Sequence, residues 1–436
     1  MLNQLQEHIN SKLSFLKNSR LLIAISGGMD SVVLTHLCYK MGLNIALAHC
    51  NFNLRGKESD ADEDFVLQLA EDLDLEVFVE SFETKTFADD EKLSVQMAAR
   101  ALRYHWFLEL TAQFKFDYIL TAHHADDNLE TFLINLARGT GIDGLLGIPE
   151  INDNVVRPLL PYSREDIESY AKEHKLEWQE DSSNASNKYL RNKLRHDVIP
   201  ILKEINPHLL QNFFRTQGFL KDSKFIIEDK ITDVSHNVVK SIDEYTMSLN
   251  INEIKMLSHP KAYLYELLKD FGFTEWQDVL NLLDAQSGKY VQTSSHRLIK
   301  NRACLLLSTI HADGSQTIYI SETDKIVDTP FGVLLVDEVE AVLETQKNII
   351  YVDKDLLKFP LSIRKREKGD VFYPLGMTGK KKLSKYFKDE KLSLIDKENA
   401  WLLCSGGAIV WVINKRADNR FRVTESTKDI LKIEIN

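Results

Sequence analysis

The chain has 436 residues, 44% of them hydrophobic and 27% charged, with a formal net charge of −11. That length is about three times a typical domain, so two or three domains are expected, in a chain of ordinary globular composition. The overall acidity disfavours a nucleic-acid partner on its face, and the longest apolar runs, such as Leu21–Ile25, are far too short to span a bilayer.

The first twenty residues form an amphipathic stretch without the apolar core of a signal peptide, which predicts a cytoplasmic protein. Short β-type runs and helical patterns then alternate. "LLIAIS" (21–26), "NIALAHCNF" (44–52), "EVFVESF" (76–82) and "DYILTAHH" (117–124) read as strands. Between them, 31–41, 60–73 and 94–114 have helical spacing. The alternation predicts an α/β unit, a doubly wound parallel sheet with helices on both faces. The unalternating apolar strands agree with a sheet buried on both sides. Cys38, Cys50, Cys304 and Cys404 are scattered with no C-x-x-C pair. They read as reduced structural thiols, which argues against a zinc site or a cysteine-based sulfur carrier.

From about Thr216 helical stretches dominate to about Leu283, and short strand-like runs follow. After Val352 a unit rich in Lys and Arg begins, and "WLLCSGGAIVWVI" (401–413) reads as a hairpin turning at Ser405-Gly406-Gly407. We therefore expect a catalytic domain over 1–215, a middle domain over 216–350 that is helical and then β, and a small α+β domain over 351–436. The charge is segregated along this order. Residues 51–95 hold 14 Asp and Glu against 4 Lys and Arg; residues 351–436 hold 19 Lys and Arg against 12 Asp and Glu. A basic terminal unit can contact phosphates even in an acidic chain, although a solvated basic face is the plainer reading.

Four clusters carry chemistry. The first is Ser26-Gly27-Gly28-Met29-Asp30-Ser31, where a strand ends on glycines and enters a helix. That places backbone N–H groups and a positive helix end at the sheet edge, an anion cradle in which Asp30 could hold Mg²⁺ against phosphates. An ordinary N-capped β–α turn would use the same glycines. It is not a Walker A loop, because no Gly-Lys-Ser/Thr follows. The second is 121–141, where His123, His124, Asp126, Asp127 and Glu130 crowd the end of a strand and the start of a helix. Its glycines at 139, 141 and 144 match G-x-G-x-x-G literally, but they follow a helix, which excludes a dinucleotide fold. The third pairs Arg191 with Arg195, Lys188 and Lys193 nearby, as a solvated helix or as a clamp for RNA phosphates or ATP. The fourth is a patch of Lys380, Lys381, Lys382, Lys385 and Lys388, interleaved with Phe372, Tyr373, Tyr386 and Phe387. Basic residues beside aromatics suit an RNA surface.

The 26–31 loop resembles that of the ATP-pyrophosphatase superfamily, which cleaves ATP to AMP and pyrophosphate. The ordered series "SGGMDS", "AHCNFNLRGKESDADEDFV", "AARALRYHWF", "TAHHADDNLETFLINLARGTGIDGLLGI", "VVRPLLPYSREDI", "WQEDSSNASNKYLRNKLRHDVIPIL" and "RKREKGDVFYPLGMTGKKKLSKYFKD" resembles the bacterial tRNA(Ile)-lysidine synthase family. Asn51-Phe52 and Asn128 depart from that family's commoner residues; 216–350 carries no matching motif. The resemblance implies ATP and Mg²⁺ as cofactors, with Ser26–Ser31 binding ATP. It implies His123, Asp126, Asp127 and Glu130 beside Asp30 in catalysis, and Arg191, Arg195, Lys380, Lys381, Lys382 and Lys385 on tRNA. The implied partners are tRNA(Ile) with a CAU anticodon and L-lysine, with room for a homodimer and no membrane. The implied reaction adenylylates O2 of the wobble cytidine and lets the lysine ε-amine displace AMP, with an acid or histidine within 123–130 as candidate base. Three rivals remain. A tRNA thiolation enzyme would need a cysteine pair. A small-molecule amide ligase would not need the basic tail. A non-catalytic RNA-binding protein leaves the loop and acid cluster unexplained.

Overall fold

The computed structural model describes residues 1–180, 190–243, 245–310, 317–343, 346–377 and 379–436. The chain divides into two compact units, Met1–Ile227 and Glu228–Asn436. Among the described residues no helix is long and apolar enough to cross a membrane.

The first unit alternates strands and helices: α1 Leu2–Lys12, β1 Leu21–Ala24, α2 Met29–Lys40, β2 Ile45–Asn51, α3 Lys57–Asp72, β3 Val77–Ser81, α4 Thr84–Asp90, α5 Val95–Phe114, β4 Tyr118–Leu120, α6 Ala125–Arg138, α7 Ile142–Leu145, β5 Ile151–Asn152, β6 Val155–Val156 and α8 Arg164–Glu173. The sheet order is β3-β2-β1-β4-β6-β5, parallel except for β5 against β6. Successive residues of β1 serve opposite faces. Leu21 and Ile23 pack with Val33 and Leu37 of α2, and Leu22 packs with Trp106, Phe107 and Leu110 of α5. Both faces are thus buried, which is why these strands lack alternation. The expected doubly wound sheet is present. The chain leaves β1 toward β2 on one side and returns as β4 on the other, and this reversal opens a crevice at the carboxyl ends of β1 and β4.

Three further helices follow, α9 Leu190–Lys193, α10 Ile199–Ile205 and α11 Leu209–Val238. A π-helical turn, Leu194–Val198, joins α9 to α10. Pro200, in the first turn of α10, has no N–H for the preceding turn, and the wider turn absorbs that loss.

The second unit opens with a five-stranded antiparallel sheet, β7 Val239–Asp243, β8 Thr246–Asn250, β9 Tyr290–Gln292, β10 His296–Asn301 and β11 Cys304–Thr309. Helices α12 Ile251–Met256, α13 Pro260–Leu268 and α14 Trp276–Asn281 contribute to its core. Strands β7 and β8 lie within the stretch that reads as mainly helical; they belong to one sheet with β11, a strand distant in sequence. The rest comprises β12 Ile318–Ile320, β13 Ile326–Thr329, β14 Gly332–Val339, β15 Ile349–Asp353, β16 Leu361–Lys365, β17 Val371–Phe372, β18 Lys381–Lys382, α15 Leu383–Asp389, α16 Leu394–Glu398, β19 Trp401–Ser405, β20 Ala408–Val412, β21 Arg416–Ala417 and β22 Ile430–Ile435. Strand β22 lies between β14 and β15, so strands on both sides of residue 350 share one core. The predicted hairpin is β19–β20. Gly406 and Gly407 turn it with φ of 53° and 80°, the left-handed pair a tight two-residue turn requires.

Candidate active site

The loop between β1 and α2 is held in shape by its own serines. Gly27 has φ of 83°, a conformation that L side chains rarely adopt. Ser31 Oγ donates to the Gly28 carbonyl at 2.8 Å and accepts from the Ser26 N–H at 3.2 Å. Ser26 Oγ accepts from the Gly28 N–H at 3.3 Å. Ser31 is buried and its hydroxyl holds the loop in shape, while the residue also lines the cavity described below. The Gln179 N–H ties the Gly27 carbonyl down from outside at 2.9 Å.

Asp30 sits in the first turn of α2. Its Oδ1 is buried without a hydrogen-bond partner, and Oδ2 lies 3.7 Å from His124 Nε2. Burial raises the Asp30 pKa above the usual carboxylate range, against the pull of His124. His124 is fully buried and caps α6; its backbone N–H donates to Asp127 Oδ2 at 3.2 Å, and Nε2 is 3.4 Å from the same oxygen. It therefore stands between the two carboxylates, one on each side of the crevice.

The acids of α6 diverge, which sequence spacing did not reveal. Asp127 meets Arg195 Nη2 at 2.9 Å, and Glu130, 1% exposed, accepts from Arg195 Nε at 2.6 Å and Arg191 Nε at 2.9 Å. Burial opposes ionisation of Asp127, but His124, His123 and both arginines outweigh it and hold its pKa below the usual range. Asp126 turns away: it accepts from the Arg164 N–H and from Lys203 Nζ, each at 2.8 Å. Asp126 and Glu130 do not line the cavity described below, whereas Asp127 and His123 do. This corrects the expectation of five titratable groups on one ligand edge. Asp126 fastens α8 and α10 to α6, and Glu130 positions two guanidinium groups. Arg191 and Arg195, expected on RNA phosphates, are both committed to carboxylates of α6. Lys188 lies outside the described residues.

A cavity of about 560 Å³ runs along the carboxyl ends of β2, β1 and β4. Ser26, Gly28, Asp30 and Ser31 line it on the loop side, His123, Asp127 and Arg191 on the α6 side. Gln96, Ala99, Arg103 and Phe107 of α5 complete a wall. Their three- and four-residue spacing is a helical stripe, a signal that could have marked Arg103 in advance. His123 bonds Thr121 Oγ1 at 3.0 Å, and burial pushes its pKa down to about 4, so the ring is neutral near pH 7. Among the described residues no group of three or more His, Cys, Asp or Glu forms a metal cage.

The lysine segment is built differently. Lys380, Lys382 and Lys385 are exposed, while Lys381 bonds Asp389 at 2.8 Å and lies 5.8 Å from the Tyr386 ring. Phe372, Tyr386 and Phe387 are buried together. They are core, which corrects their reading as RNA-facing aromatics.

A PP-loop domain model matches residues 1–202, a TilS substrate binding domain model matches 242–310 and a TilS substrate C-terminal domain model matches 361–434. The tRNA(Ile)-lysidine synthase of Parabacteroides distasonis is 40% identical over 99% of each chain, and that of Bacteroides thetaiotaomicron is 37% identical over 98% of each. Among solved structures, the U34-tRNA thiolase NcsA from Methanococcus maripaludis aligns at 18% identity, with a TM-score of 0.41, over 50% of this chain and 78% of its own. A glycine-turned loop facing paired carboxylates across one crevice, and relatives aligned from end to end, lead to one assignment: the chain belongs to the tRNA(Ile)-lysidine synthase family.

Proposed function

We propose that this chain joins L-lysine to C2 of the wobble cytidine of a CAU-anticodon tRNA(Ile) in the cytoplasm, using ATP. The observation that carries the reading is the single cavity joining the 26–31 loop to Asp127 and Arg191. It lets a triphosphate, an activated base and an amine meet at one place. Cytidine O2 attacks the α-phosphorus of ATP and pyrophosphate leaves. The free ε-amine of lysine then attacks C2, the C2–O2 bond breaks, and AMP leaves with O2. Adenylylation turns a poor leaving oxygen into a good one. The product reads AUA.

The loop N–H groups and the N-terminus of α2 receive the phosphates. Arg191, which lines the cavity and is oriented by Glu130, stabilises charge as it builds during transfer, and Arg195 holds Glu130 and Asp127 in place. The unpartnered Oδ1 of Asp30 fits a hard cation, so Asp30 would hold Mg²⁺ with phosphate and water oxygens completing its shell. Bound there, the ion would neutralise the departing pyrophosphate. His123, at about 4, and Asp127, lowered, are both weak proton acceptors toward an ammonium of ordinary pKa about 10.4. Asp127 therefore attracts and orients the lysine ammonium, whose proton passes to solvent before the free amine attacks C2. Lys380, Lys382 and Lys385 grip tRNA phosphates.

Incubating the protein with tRNA, ATP and labelled lysine, followed by nucleoside mass analysis, tests this. Cytidine plus lysine less water is the expected product, with AMP and pyrophosphate in equal amount. Labelled lysine absent from the nucleosides overturns the reading.

A further inference from the structure

One wall of the cavity carries a side chain that neither the loop nor the α6 cluster uses. His49, near the carboxyl end of β2, is 4% exposed and lines the cavity beside Ala48 and Cys50. Its Nδ1 lies 3.0 Å from the carbonyl oxygen of Ile25, the last residue before the loop. A carbonyl only accepts, so Nδ1 carries the proton. Burial lowers the pKa of the ring below its ordinary value, which keeps the other nitrogen bare. Nε2 is then an acceptor. The two carboxylates that act on this ring cannot serve it, since carboxylates accept too, and both are engaged. Asp62 takes Arg55 at 2.6 Å, and Glu63 takes Asn51 Nδ2 at 2.8 Å.

We propose that His49 reads the nucleobase, accepting at Nε2 the hydrogen bond of an exocyclic purine amine and so selecting adenine over 6-oxo purines. This rests on the reading that ATP occupies the cavity with its phosphates at the 26–31 loop. The cavity runs from that loop along the carboxyl edge to Ala48, His49 and Cys50 of β2, which leaves room for the nucleoside beside His49. A 6-oxo purine would set a carbonyl oxygen against Nε2, acceptor against acceptor. The ring cannot turn to offer an N–H without breaking its bond to Ile25. The loop thus fixes not only the phosphates but, through the Ile25 carbonyl, the tautomer that reads the base.

The test is a cycle between one ligand group and one side chain. Pyrophosphate release is measured on the full chain, with tRNA and lysine saturating. The nucleotides are ATP, purine riboside 5′-triphosphate, which lacks the 6-amine, and inosine triphosphate. Wild type should lose roughly 3- to 10-fold in kcat/KM on removal of the amine, the scale of one neutral hydrogen bond. It should lose on the order of 100-fold with inosine triphosphate, where polar groups are left unpaired. Both losses should fall on KM with kcat little changed. In His49→Ala, ATP and purine riboside triphosphate should become equivalent. An undiminished preference for ATP in that variant overturns the proposal. So does a wild type indifferent to the 6-amine, a result that requires no variant to fold. No pyrophosphate from ATP itself in wild type overturns the ATP reading, and this proposal with it.

Discussion

The N-terminus of α6 and the 380–388 segment are both dense in charge, and they handle it in opposite ways. At α6 the carboxylates are buried or half-buried and each faces a named cation, Asp126 to Lys203, Asp127 to Arg195, Glu130 to Arg191 and Arg195. In the lysine segment the aromatics are buried, while Lys380, Lys382 and Lys385 stand in solvent. A buried charge depends on a few fixed partners, so one substitution should matter greatly. Exposed charges are screened and interchangeable, so several must be removed before binding changes.

The largest effect tests the loop that faces α6. Asp30→Ala should lower pyrophosphate release by at least about 10³-fold, the scale of a group acting on developing charge. Stability should not fall. A carboxylate whose pKa is raised by burial costs stability above that pKa, so removing it should leave the unfolding free energy at pH 7 unchanged or higher by about 0.5–1 kcal/mol. Denaturation alongside the activity assay checks both halves; a folded variant with near-normal release would remove Asp30 from the site.

Glu130→Gln should be the costliest for folding, by about 2–3 kcal/mol in urea titration, because it removes a buried charge partner shared by two guanidinium groups, of which Arg195 keeps Asp127. A loss below about 1 kcal/mol would mean that Arg191 and Arg195 find water instead, and that the two regions differ less than their burial implies.

Asp126→Asn and Asp127→Asn should separate. The first should cost about 1–2 kcal/mol of stability, through the weakened bonds to Lys203 and the Arg164 N–H, and leave turnover per folded molecule within a few fold. The second should lower turnover more than stability, since Asp127 lines the cavity. Equal kinetic losses would return Asp126 to the ligand edge.

His123 sets a pH dependence. Its folded pKa is lowered to about 4 from an ordinary 6.5, so below pH 6.5 the unfolded chain takes up a proton that the folded chain refuses. Stability should fall between pH 6.5 and about 4, by about 1–3 kcal/mol after allowance for its partial exposure, and level off below. His123→Asn should flatten that interval; an unchanged slope would place the proton uptake elsewhere.

The smallest effect per residue belongs to the lysines. Replacing Lys380, Lys382 and Lys385 with Ala should raise KM for tRNA and leave kcat and ATP binding unchanged. The salt dependence should flatten by roughly 0.7–0.9 log units for each phosphate that no ammonium group neutralises any longer. Adding Lys381→Ala should contribute less, because that ammonium already pairs with Asp389. Equal slopes in wild type and variant would make the segment a solvated face.

Local sequence determined the elements and their order. Strand β1, the glycine pair and the start of α2 were legible because a buried strand, a left-handed turn and a helix N-terminus each impose their own residues over a few positions. The helices of the first half were legible because a 3.6-residue period repeats within one element. What only the tertiary structure decided is pairing. Asp126 and Glu130 share a helix face by spacing, yet one meets Lys203 and the other Arg195, residues 77 and 65 positions away. Strand β8, and through it β7, was invisible in a helical neighbourhood because its partner β11 lies more than fifty residues on. Phe372, Tyr386 and Phe387 looked like an RNA surface beside their lysines because sequence gives adjacency along the chain and not direction from it. A helix and a short strand turned them inward to the core and the ammonium groups out to water, since burial favours the ring and penalises the charge.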